Sequence, residues 1–142
     1  MKTKLAAFFL LAGTLTASVP MSAHHGNAAY DESKLVVLKG AVVTKFSWAN
    51  PHSLLMFDVK DDKGNVAHWV AELGSPSALG LIGWTKASVQ PGDVITVHVH
   101  QSKVNNTVGR IDHVVLADGT SLRDSSGGGD RGDKKSDGSG AY

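Results

Sequence analysis

The chain has 142 residues, 14 basic against 13 acidic side chains, no cysteine, and a formal charge of +1. That length favours one domain, and the near-neutral balance argues against nucleic acid or an anionic membrane as partner. The lack of cysteine removes disulfides, thiolate metal sites and thiol chemistry.

The first 23 residues have the pattern of a secretory signal. Lys2 and Lys4 make a charged start, and Leu5 to Ala17 is an apolar run too short to span a bilayer. Pro20 then precedes a small-residue cleavage site ending at Ala23. No second apolar run follows, so the mature chain is expected to lack a membrane span and to be periplasmic or secreted. Losing Lys2 and Lys4 lowers the basic residues from 14 to 12 against 13 acids, a net charge of −1. An exported chain without disulfides must rely on its core alone.

Residues 24–34, beginning His24-His25-Gly26, read as a polar lead-in. Leu35 to Trp48 is a long β-rich run, and Gly40 inside it predicts a bulge or sharp bend. Pro51 cannot donate to a sheet ladder, so Ala49-Asn50-Pro51-His52 is a corner between two strands. From Ser53 to Lys60, Leu55, Phe57 and Val59 share one face. Asp61 to Asn65 is a hairpin loop with Gly64 at its turn. Val66 to Leu73 alternates again, with Ala67, Trp69, Ala71 and Leu73 on one side.

The period then changes. Ser75-Pro76 is a helix start, with serine as cap and proline in the first turn, and the helix runs to about Ile82. Pro91-Gly92-Asp93 is a turn. Val94 to Gln101 is a fourth strand and Val108 to Ala117 a fifth, closed by a turn at Asp118-Gly119. Residues 125–142 form a Gly/Ser/charged tail that cannot bury enough apolar area to order itself. Its Arg131-Gly132-Asp133 tripeptide is read as chance composition. Residues 35–124 are thus expected to fold as an all-β domain with one short helix. Three strands, a helix and two strands, the first strand bent at glycine, is the plan of a small five-stranded OB-like closed barrel.

Several short motifs occur in order: the His24-His25 start, Gly40-Ala41-Val42, Trp48-Ala49-Asn50-Pro51-His52, Trp69-Val70-Ala71-Glu72-Leu73, Gly83-Trp84-Thr85 and Pro91-Gly92-Asp93. Together they resemble a family of small exported bacterial proteins classed as a domain of unknown function. The resemblance covers residues 24 to 122. It implies export and a small β-barrel, and no established activity. The chain departs from the family pattern at Leu81-Ile82, where an arginine is usual, and at His98 to His100, where a Gly-x-Pro is usual.

Histidines are the main candidates for chemistry. Imidazole suits copper, zinc and nickel, and without cysteine a site must be built from nitrogen and oxygen. Cleavage after Ala23 would give His24 a free amine, which can chelate a metal together with its own imidazole. One further histidine would complete a three-nitrogen site resembling the copper histidine brace. His25 and His52 are the expected partners, since the lead-in is free to move and His52 follows a corner. The plain alternative is that His24 and His25 are polar residues at a frayed terminus. His98 and His100 share a strand face with Cα atoms roughly 6.5–7 Å apart, a spacing that suits either a second metal set or an exposed strand face. His68 and Glu72 are too distant along their strand to ligate jointly, and His113 reads as a core-edge histidine. Trp48 and Trp84 lie at element ends, where with Asn50 they could wall a ligand pocket; the plain alternative is packing in the core or at its rim.

No nucleophile elbow, phosphate loop or dinucleotide fingerprint occurs, and nothing specifies a reaction. Two functions follow: a periplasmic protein binding copper or another divalent metal through His24, His25, His52, His98 and His100; or a non-catalytic module that binds a small ligand or another envelope protein near Trp48, Asn50 and Trp84.

Overall fold

The computed structural model describes residues 27–125. The signal segment, His24, His25 and nearly all of the predicted tail lie outside them. After a single 3-10 turn at Asn27–Ala29 come β1 (Tyr30–Ser47), β2 (Leu54–Lys60), β3 (Val66–Glu72), α1 (Pro76–Leu81), β4 (Val94–Ser102), β5 (Val108–Val115) and β6 (Ser121–Arg123). The sheet order is β3-β2-β1-β4-β5-β6, and a parallel pairing of β3 with β5 closes the first five strands into a barrel. This is the five-stranded barrel expected from the order of elements.

β1 is long because it serves two partners. Its first part pairs with β4 and its second with β2. Between Leu38↔Val97 and Ala41↔Ile95 the register slips by one residue, and Gly40 takes a φ of 66° there. A left-handed backbone is cheap only for glycine, so the bend falls where the sequence has one. β1 also starts earlier than alternation predicts, at Tyr30 instead of Leu35. Its first residues have no apolar period of their own; pairing of Tyr30 with Ser102 holds them.

The period-2 faces fall as expected. Leu55 and Phe57 from β2, Trp69 and Ala71 from β3, and Ile95, Val97 and Val99 from β4 fill the barrel. Phe57 and Trp69 stack inside with ring centroids 6.1 Å apart. α1 begins as predicted, the Ala78 N–H donating to Ser75 Oγ at 3.3 Å, and it buries Leu79. Among the described residues no helix is long and apolar enough to cross a membrane.

β6 is an element that alternation did not reveal. Its three residues are too few to show a period, and it forms because the Asp118-Gly119 turn folds the chain back onto β5. β5 carries a second irregularity. His98 pairs with His113, but the next residue, Val99, pairs with Ile111, so Asp112 is an extra residue. Ile111 and Val114 both reach the core, while Asp112 and His113 together face outward.

Phe57→Ala should lower unfolding free energy by about 3–5 kcal/mol in urea titration, since it empties a fully buried ring position. Gly40→Val should cost about 1–2 kcal/mol through backbone conformation alone, because a side chain there meets no atom within 4 Å.

Candidate functional site

The barrel closes where the outward face of β3 meets that of β5, and a polar network covers this seam. Glu72, the last residue of β3, is its centre. Its Oε2 accepts the Tyr30 hydroxyl at 2.9 Å. Its Oε1 takes Arg110 Nη1 at 3.1 Å and His52 Nδ1 at 2.5 Å. Arg110 Nη2 reaches Asp124 Oδ2 at 3.1 Å, and Asp124 Oδ1 accepts the Gly74 N–H at 2.7 Å. The Asp124 side chain is fully buried and that of Arg110 nearly so, which makes this charge-assisted set stronger than a surface ion pair.

The Asn50-Pro51 corner presents His52. The Asn50–Pro51 peptide is cis. The next residue, Ser53, is locked by two backbone bonds, its N–H to the Gly74 carbonyl and its carbonyl to the Leu73 N–H. The His52 side chain remains 47% exposed. With Nδ1 donating to Glu72, Nε2 carries the free lone pair and is the nitrogen available to a ligand.

Tyr30 comes from the start of β1, yet it meets the corner on the same carboxylate. Burial, followed by its hydrogen bond to Glu72, pushes the phenol up to about 12. The two residues before Tyr30 are tied to the β4–β5 loop: the Lys103 N–H and Nζ donate to the Ala29 and Ala28 carbonyls.

A second cluster lies farther along the outer face. His98 and His113 stack with centroids 3.9 Å apart. His113 Nδ1 bonds Asp112 Oδ2 at 2.6 Å, and His100 Nε2 lies 3.8 Å from Asp112 Oδ1. His98 and His100 therefore share a face as expected, and cross-strand pairing adds His113. His113 is one-fifth exposed and bonded to Asp112, in keeping with a satisfied core-edge histidine, and its placement beside His98 depends on the bulge at Asp112. His98 Nδ1 is buried and has no hydrogen-bond partner among the described residues. Burial, then the neighbouring His113, holds the His98 imidazole below its usual range. Burial works to raise the Asp112 carboxyl, but its hydrogen bond with His113 and the nearby His100 and Arg123 outweigh it, and the carboxyl is lowered.

Among the described residues, no three His, Asp or Glu groups are gathered closely enough to hold an ion as they stand. Trp84 is 2% exposed, packs against Phe46, and donates its indole N–H to the Arg123 carbonyl at 2.7 Å, so it stands in the core. Trp48 is half-buried against Phe46, and Asn50 is exposed. A hollow of about 250 Å³ between the start of β4 and the β5–β6 turn includes none of the three. His68 pairs with Asp58 across β2 and β3, away from Glu72.

A family model matches residues 12–111 and is described as a family of unknown function, DUF6152. The chain belongs to that family. DUF6152 agrees with the motif resemblance, which also pointed to a family without an assigned activity. The matched span holds His52, Glu72, Arg110, His98 and His100 and stops before Asp112, His113 and Asp124. No curated protein matches the chain.

Glu72→Ala should cost about 1–3 kcal/mol in urea titration, because it strips a charged acceptor from Arg110 and Tyr30. Tyr30 has its own pH signature. Its folded pKa lies above the unfolded value near 10, so its contribution is complete below pH 10 and is lost as pH rises from about 10 to about 12. Denaturant midpoints measured across that window should fall less steeply for Tyr30→Phe than for the parent chain.

Proposed function

We propose that this is an exported barrel protein that binds copper, or a similar histidine-binding divalent metal, through His24 and His52. His25 stands as a further ligand at the new terminus. In this reading cleavage after Ala23 frees the His24 amine, and amine, His24 imidazole and His52 Nε2 supply three nitrogens.

The observation that carries this reading is the meeting of Tyr30 and His52 on the Glu72 carboxylate. It brings the beginning of β1 to the proline corner. His24 is six residues before Tyr30; three of these form the 3-10 turn at Asn27–Ala29, and the three before it can extend about 10 Å, the span that this reading uses to bring His24 toward His52. Glu72 also fixes the His52 tautomer and aims Nε2 outward, the role a carboxylate plays behind a metal-bound histidine. His52 is thereby oriented before a metal arrives, which lowers the ordering cost of binding.

A second reading is a non-catalytic module that binds a small ligand or another envelope protein. It draws on exposed Asn50 beside half-buried Trp48 at the same corner.

The test uses protein purified through its own export route. Mass spectrometry should find His24 as the first residue, and Cu(II) should bind one-to-one at that terminus. His24→Ala and His52→Ala should each weaken this event more than tenfold. Binding should also weaken below about pH 6, because protonated imidazole cannot ligate. A different first residue without tight copper uptake would favour the binding module.

A further inference from the structure

We infer that His98, His100 and His113 form a second transition-metal site on the outer face of β4 and β5, with Asp112 orienting His113. It is separate from the site at the proline corner, and neither depends on the other.

Strand geometry comes first. His98 and His100 are alternate residues of β4, so they point the same way, and His113 lies directly across from His98 on β5. Two residues on one strand and one opposite, on adjacent strands, place three imidazoles over a patch roughly 5–7 Å wide. One ion bound at about 2.0–2.1 Å to each nitrogen needs the three nitrogens turned toward one point, which they are not as they stand.

Tautomers come second. His100 Nδ1 lies 3.3 Å from the Asp31 carbonyl, to which it can only donate, so Nε2 is left with its lone pair. His113 Nδ1 donates to the Asp112 carboxylate at 2.6 Å, which likewise leaves Nε2. His98 has an unused nitrogen, Nδ1. Among the described residues each ring therefore keeps one nitrogen without a hydrogen bond, with His100 Nε2 standing 3.8 Å from Asp112 Oδ1. A carbonyl behind one histidine and a carboxylate behind another are the usual supports of metal-bound imidazole. Leaving the His98 nitrogen without a partner is costly, about 1–3 kcal/mol for a buried polar group, and coordination would remove that cost.

From β1, the residues paired with His98 and His100 are the apolar Val37 and Leu35. From β6, Arg123 is paired with His113 and opposes a cation, while the Asp112 carboxylate offsets it. The side chains of His100 and His113 are each about one-fifth exposed, so an ion can enter from solvent. As they stand, the His98 and His113 rings are stacked. Binding one ion requires that they turn apart. Nitrogen-only ligation with an open fourth position suits Zn(II) or Cu(II).

The test removes the first site and asks what remains. In the full chain carrying His24→Ala and His52→Ala, calorimetric titration with Zn(II) should still show one equivalent. Adding His100→Gln or His113→Gln should weaken it more than tenfold while the urea midpoint confirms folding. The unsubstituted chain gives a reading independent of any variant. Long-range 1H–15N spectra should show His98 Nδ1, His100 Nε2 and His113 Nε2 moving to metal-bound shifts as Zn(II) is added. No Zn(II) uptake by the silenced chain, or uptake that leaves those three nitrogens unmoved, would overturn the assignment. Loss of copper binding at the corner would not affect it.

Discussion

One carboxylate ties the ends of this barrel together. Glu72 accepts from Tyr30 at the start of β1, from His52 at the corner before β2, and from Arg110 on β5. Those donors come from elements far apart in sequence. The parallel pairing of β3 with β5 is short, covering Val70 to Glu72, so backbone bonds alone make a modest seam. The side-chain network lengthens it. It extends to Asp124, which brings the segment after β6 into the closure.

The same seam decides what the outer surface can do. A histidine on a loop is ordinarily mobile, and its lone pairs have no fixed aim. His52 is different because Ser53 is pinned behind it and Glu72 holds one of its nitrogens. The β4–β5 histidines are fixed in another way, by strand pairing and by acceptors from β1 and β5. A small closed scaffold thus holds side chains of similar chemistry in two distinct settings.

Much of the fold was legible from alternation. β2, β3 and β4 each bury one face, and a period of two identifies it without further information. Gly40 marked the bend because few other residues adopt its conformation cheaply. The helix start was legible from Ser75 and Pro76. What escaped depends on contacts between distant residues. Tyr30 joins a strand because of its partners, and β6 is too short to carry a pattern. Trp84 at an element end could have walled a pocket; in the structure the Arg123 carbonyl satisfies its indole and it lies in the core. Arg110 and Glu72 could be matched only once the closing pair of strands was known. His52, His98 and His100 were visible as candidates; that His113 accompanies them was not, because it needs the slip at Asp112.

That slip links charge to chain counting. Asp112 is the spacer that lets Ile111 and Val114 both point inward. Its carbonyl accepts the Asp124 N–H, and its carboxylate lies against two histidines. Straighten the strand while keeping that residue and the parity of everything downstream inverts: Val114 would turn toward water and Asp124 would lose its hold beside Arg110. Hydrophobic sorting, barrel closure and imidazole orientation therefore hang on one position, and none can be retuned there without disturbing the other two.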